Sequence, residues 1–282
     1  MSGQTTRIAI ALTLLLIARA SAQDQPAPLA FDVVSVKIDR EGTGGAGDSF
    51  PKHGTWHWTR IPLSFLVMMA YDVSLNRVTN IPSSFQGPEI AFDITAKMPV
   101  DVTDDQFHRM LQSLLADRFK LQIHREMRES SVNTIEVAKG GPKLQPATAP
   151  CAHVQKSTPV PEGEYRCGEV TLSYPFTDGV RHQRYYGRLA TVADLAAAMS
   201  SNGPVLDETG IQGLWDIEIN IEVNIQPRSD DPDERTSREF AYQHAVSTAF
   251  EKQLGLLYDP GKLKKRPVPV IVVDHVELPT AN

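Results

Sequence analysis

Cysteine and surplus positive charge are both scarce in this chain. Its 282 residues hold only Cys151 and Cys167, which excludes a disulfide-dense mini-scaffold and a four-cysteine zinc module. Twenty-eight basic residues face 34 acidic ones, for a net charge of -6. A phosphate backbone therefore finds no electrostatic footing, and nucleic acid is not an expected partner. Several motifs are missing too: the Gly-x-Ser-x-Gly elbow, His-Glu-x-x-His, a phosphate-binding P-loop and the dinucleotide glycine fingerprint. Carboxylates are plentiful, but no pair is singled out by spacing, so a two-carboxylate glycosidase has no basis. No cofactor and no metal is expected. Beyond the N-terminus no apolar run is long enough to span a membrane.

The N-terminus, by contrast, is highly patterned. Arg7 precedes the apolar stretch Ile8 to Ala18, and Ala20-Ser21-Ala22 forms a small-x-small site. This predicts an export signal over residues 1–22, cleaved after Ala22. A membrane anchor would need about 20 apolar residues. The expected location is periplasmic or secreted, with no membrane span after signal removal. In an oxidising compartment Cys151 and Cys167 are expected to form a disulfide, stabilising by about 3 kcal/mol. A zinc site would need more ligands than nearby His153, and no Cys-x-x-Cys redox motif is present.

The mature chain mixes two periodicities. Phe31–Ile38, Ile90–Ala96, Leu214–Val223 and Pro267–Val276 read as strands, and His53–Arg60 as extended chain. Phe119–His124 and Asn133–Ala138 read as two strands of a hairpin. Pro62–Tyr71 is a predicted helix with Leu63, Leu66, Val67 and Ala70 on one face. Thr103–Phe119 is another, opened by Thr103 and Gln106 in a capping box. Leu189–Met199, with Thr191 as cap, and Phe240–Leu254 complete the helices. Arg40–Ser49 reads as an exposed loop, and Gln226–Glu239 as an exposed polar insertion.

The parts recur in one order. A helix is followed by a turn, then an aromatic-Asp-Ile triplet (Phe92-Asp93-Ile94 or Trp215-Asp216-Ile217), a second helix and a closing strand. The expected fold class is α+β, with two similar βαβ-type modules from an internal duplication and helices packed on small mixed sheets. The expected divisions are a first module over 28–140, a Pro-rich connection with the disulfide over 141–185, and a second module over 186–282.

Several runs carry a family resemblance. They are Phe31-Asp32-Val33 with Ser35-Val36-Lys37, Ala70-Tyr71, and Leu114 to Leu121 with His124. Pro204 to Gly210 with Gly213 and Asp216, Gln253-Leu254-Gly255-Leu256, and Val272-Val273-Asp274 to Pro279 with Asn282 complete the set. Over nearly all of the mature chain the sequence resembles a family of secreted proteins of unknown function, abundant in acidobacteria and named after Solibacter. Glu208 and Leu278 depart from it, standing where that family more often has a basic residue. Each half is also loosely similar to the short N-terminal modules of secretins and TonB-dependent receptors, which mediate contacts in the envelope. In some relatives this domain is joined to a membrane-bound antirepressor-type zinc peptidase, which implies sensing or interaction there.

The candidate sites are sparse. Trp56, Trp58, Tyr185 and Tyr186 could form an aromatic platform for a ligand, or serve as core edges. His53 and His57 would share a strand face, with His182 as a third potential ligand. Asp207-Glu208-Thr209-Gly210 reads as a turn, with Gly210 and Gly213 allowing positive φ. The expected function is a non-catalytic binding module for an unknown envelope protein or extracellular ligand. Two alternatives stand beside it: a secreted hydrolase gathering His124, Asp117 and Asp207 in one pocket, and a glycan binder using the Trp/Tyr cluster.

Overall fold

The computed structural model describes residues 29–40, 45–86, 90–148, 150–156, 158, 160, 164–177, 180–200, 203–222 and 231–279. The export signal over 1–22, residues 23–28, Val223 of the predicted strand, residues 226–230 of the polar insertion and Asn282 lie outside the described residues.

The fold is α+β, with helices on small sheets. In the first half β1 (Val33–Asp39), β2 (Ala46–Gly47), β3 (Thr55–Ile61) and β5 (Ala91–Lys97) form an antiparallel sheet in the order β1-β5-β3-β2. Helices α1 (Leu63–Tyr71) and α2 (Asp104–Phe119) pack on it. The apolar stripe of α1 is buried at the four expected positions, Leu63, Leu66, Val67 and Ala70. The Thr103 hydroxyl accepts the Gln106 N–H at 3.1 Å, and the Gln106 side chain accepts the Thr103 N–H at 2.8 Å. These bonds satisfy two of the four orphan donors at the helix start.

In the second half β7 (Gln145–Pro146), β8 (Glu169–Ser173), β10 (Val180–Ala190) and β12 (Trp215–Glu222) form a second antiparallel sheet, ordered β7-β12-β10-β8, with β9 (Phe176–Thr177) beside β10. Strand β10 runs through residue 185 without a break. Helices α3 (Val192–Met199) and α4 (Pro232–Ala249) cover this sheet, and α4 passes into a π-helical turn at Phe250–Leu254. Thr191 and Asp194 form the second capping box.

A central mixed sheet joins the halves. Its order is β11-β6-β14-β4, where β4 is Val78–Thr79, β6 is Gln122–Val137, β11 is Val205–Asp207 and β14 is Lys264–His275; β13 (Leu256–Tyr258) also pairs with β6. Strands β6 and β14 run antiparallel for most of their length. Each half sends a short strand to lie parallel to the other half's long one, β4 beside β14 and β11 beside β6. Two main cores result, one around Trp56, Phe92 and Leu111, the other around Ile135, Ile219 and Phe250.

Two expectations need correction. Residues 122–137 are one strand, not a hairpin. The stretch from Arg125 to Val132 has no Gly, Pro, Asn or Asp to turn the chain, and β14 pairs along it instead. Residues 231–239 of the polar insertion are the first half of α4. Asp231 caps that helix by accepting the Asp233 N–H at 2.8 Å, and Pro232 opens it. Polarity there marks an exposed helix face, not an insertion between elements.

Both outer sheets turn into their first helix through a non-glycine residue at positive φ, Arg60 at 54° and Leu189 at 49°. A register shift falls at each point, between Trp58 and Ile61 and between Gly187 and Ala190. The Arg60 N–H donates to Asp93 Oδ1 at 2.9 Å, and its guanidinium pairs with Asp39 at 2.8 Å. The Asp of the first aromatic-Asp-Ile triplet thus holds a backbone that alone would be unfavourable.

Candidate functional site

The sequence-predicted aromatic residues lie on two different sheets. Trp56 and Trp58 belong to β3, Tyr185 and Tyr186 to β10. Trp56 is fully buried, stacks edge-on against Phe107 and donates its indole N–H to the Asp48 carbonyl at 2.7 Å. Trp58 is half-buried beside Phe65. Consecutive strand residues point to opposite faces, so Tyr185 and Tyr186 diverge. Tyr186 meets Tyr165 edge-on at 5.2 Å, with Arg184 over its own ring and Arg188 over that of Tyr165. Tyr185 turns inward.

That inward face carries the candidate site, a cavity of about 500 Å³ between the second sheet and α4. Gln183 and Tyr185 alternate on β10 and so share one face; Ile221 of β12 and Leu172 of β8 stand directly opposite them. Tyr242 reaches in from α4, Tyr258 from β13, and Tyr174 stands at the rim. Gln183 is a buried polar residue and both ends of its amide are occupied. Its Nε2 donates to the Tyr185 hydroxyl at 2.8 Å, and its Oε1 accepts from the Tyr242 hydroxyl at 3.1 Å. Such a network is stable only when its members are satisfied.

Burial raises the Tyr185, Tyr242 and Tyr258 hydroxyls above the ordinary phenol range, Tyr258 to about 12. All three are neutral near pH 7 and act as hydrogen-bonding groups on apolar rings. Among the described lining residues Glu239 alone is charged. The described wall thus offers ring faces, hydroxyls, two side-chain amides and one carboxylate, and no cation among the described residues.

The other candidates are placed as follows. His57 is exposed, with Nδ1 at 3.0 Å from the Thr95 hydroxyl. His53 lies in the turn before β3 at φ 49°, so the pair does not share a strand face as expected. His124 on β6 meets Asp274 on β14 at 2.8 Å, both at the surface. Asp117 is exposed on α2, and Asp207 accepts the Thr209 N–H and hydroxyl in the turn after β11. None of His124, Asp117 and Asp207 lines the tyrosine cavity. Cys151 and Cys167 form a disulfide, with Cα atoms 5.2 Å apart. His153 lies beside them, the three potential ligand atoms falling within 4.8 Å of one another. Both sulfurs are committed to each other and hold no lone thiolate for a metal.

Sequence reading reached Tyr185 but missed Gln183, Tyr174, Tyr242 and Tyr258. The alternation Gln183-x-Tyr185 was visible; what it faces comes from α4 and β13, more than 50 residues away.

Fold and site together define an α+β protein with one tyrosine-lined, ligand-sized cavity described in its second half. The family described as "Protein of unknown function (DUF3738)" matches residues 64–276, and the chain belongs to it. No curated protein and no solved structure matches the chain. Among the described residues no helix is long and apolar enough to cross a membrane.

Proposed function

We propose that this is an exported, non-catalytic binding protein that takes a small neutral or cationic organic ligand into the tyrosine cavity. The observation that carries the reading is the cavity wall, where four tyrosines and a buried Gln183 converge with Glu239 as the one charge among the described lining residues. Phenol rings stack on sugars and aromatic bodies and attract cations through their faces. Among the described lining residues an anion would meet the Glu239 carboxylate and no compensating cation. Export rests on the sequence of residues 1–22, and an oxidising destination agrees with the Cys151–Cys167 disulfide.

The two-module division, its origin in a duplication, the Solibacter-type attribution and the likeness to envelope modules belong to the same reading. What supports duplication is the matching strand order of the outer sheets and the reciprocal placement of β4 and β11. In this view the first half is mainly scaffold and the second carries the ligand.

The test is a melting-temperature screen with neutral sugars, aromatic alcohols and quaternary ammonium compounds, set against sulfonated versions of the same bodies. Neutral or cationic compounds should raise the melting temperature, and Gln183→Ala and Tyr242→Ala should abolish the rise. Stabilisation by the anionic versions alone, or a response indifferent to both substitutions, would refute the cavity as the binding site.

A further inference from the structure

The outer edge of β6 is an open pairing surface. Strand β14 places Pro267 opposite Glu129 and Pro269 opposite Met127. Proline has no N–H, so these pairs are not the ones that exchange hydrogen bonds between β6 and β14. The odd-numbered residues of β6 therefore turn their backbone N–H and C=O away from β14. Farther along the strand this outward direction is occupied. There the Asn133 N–H donates to the Pro204 carbonyl at 3.0 Å, and the Ile135 carbonyl accepts the Glu208 N–H at 2.9 Å. At Arg125, Met127, Glu129 and Ser131 no strand among the described residues takes that place. Side chains 124–129 are exposed, Met127 at 62%. The far edge of β14 differs: Pro267 and Pro269 deprive it of donors, and β4 covers Ile271 and Val272.

The open stretch reads Arg125-Glu126-Met127-Arg128-Glu129. Run antiparallel against itself about Met127, it sets Arg125 opposite Glu129, Glu126 opposite Arg128, and Met127 opposite Met127. Every charge meets its opposite. Because Met127 points its backbone outward, the pair on the two-fold axis is a hydrogen-bonded one, and so are the two Arg125–Glu129 pairs. Within one chain Arg128 already pairs with Glu126 on the same face, so four charges would gather there. Pairing with β11 begins at Asn133 and bounds the window at one end, and the start of β6 bounds it at the other.

We infer that the protein forms a two-fold symmetric dimer in which the β6 edges of two copies pair antiparallel about Met127, joining both central sheets into one. A second copy is the occupant because the edge is its own charge complement. An unrelated strand would have to supply the same alternation.

Sedimentation of the purified chain should give twice the mass of a single copy, with the dimer weakening as salt rises. Arg125→Glu and Glu129→Arg each turn two attractive cross-strand pairs repulsive and should weaken association at least about tenfold. The double variant Arg125→Glu/Glu129→Arg should dimerise again. So should an equimolar mixture of the two single variants, in which each chain complements the other. Circular dichroism verifies folding of each variant. A wild-type chain that sediments as a monomer at its highest soluble concentration overturns the inference. So does a dimer that neither reversal weakens, or a mixture of folded single variants that stays monomeric.

Discussion

The Tyr242 hydroxyl donates to the Gln183 side-chain carbonyl at 3.1 Å, tying the middle of α4 to the second sheet. The two residues are 59 positions apart and form one wall of the cavity. Removing either partner leaves a polar group without its bond at a buried position.

Tyr242→Phe should therefore cost about 1 kcal/mol, and Gln183→Leu about 1–3 kcal/mol, because the latter strands two hydroxyls. Urea denaturation followed by circular dichroism measures both. A Gln183→Leu variant as stable as the wild type would mean that the network contributes nothing.

Four tyrosines should resist ionisation. Burial holds Tyr71, Tyr185, Tyr242 and Tyr258 above the ordinary phenol value of 10.0, Tyr258 at about 12. The folded state favours the neutral phenol, so its contribution to stability is complete below pH 10 and is lost as pH rises through the folded values. A spectrophotometric phenolate titration should still be rising at about pH 12, where Tyr258 ionises and the fold loosens.

Acid should act on the charged cluster beside β14. Arg266 and Lys264 hydrogen-bond to Glu208 and hold its carboxyl below the usual range, and Lys264 with Thr134 does the same for Glu136. These carboxylates add stability above their unfolded pKa and lose it as pH falls through the lower folded values. Glu208→Gln should flatten the acid limb of a stability–pH profile and change neutral stability little, since the groups are partly solvated. An unchanged acid limb would show that the cluster is uncoupled from folding.

Trp56 was one of the four aromatic residues open to ligand contact from the sequence, and it is fully enclosed. Trp56→Ala should cost about 3–5 kcal/mol through lost burial and a residual cavity. Calorimetry should show a large fall in melting temperature. A mild effect would indicate that the indole is less enclosed than its packing on Phe107 implies.

Reduction should loosen the segment beside β8. The disulfide spans a sequence separation of 16 between Cys151 and Cys167, and opening such a loop should cost about 3 kcal/mol. Non-reducing peptide mapping should recover the two cysteines as one linked species. Recovering both as free thiols from oxidising conditions would exclude the bridge.

Much of the local structure was legible in the sequence. The stripe of α1, both threonine caps and the alternation of β12 were readable because each depends on near neighbours. The errors share one cause. Arg125 to Ser131 looked like a break because charges usually mark loops, but β14 pairs with that stretch and makes it strand. Residues 231–239 read as part of an exposed polar insertion for the same reason, although Asp231-Pro232 opens a helix there. The cavity was half visible, since Gln183 and Tyr185 alternate on one strand while Tyr242 and Tyr258 arrive from remote elements.

The sequence alone determined the α+β character, the capped starts of α2 and α3 and the cysteine pair, because hydrophobic period, capping and the count of two thiols are local or compositional facts. Tertiary structure alone decided which face of each strand meets which helix, and hence that Tyr185 enters a cavity while its neighbour Tyr186 turns the other way. It also decided the pairing of β6 with β14, and so which backbone groups are used up inside the chain and which remain open at its edge. Those outcomes depend on residues brought together from distant positions, and no window along the chain contains them.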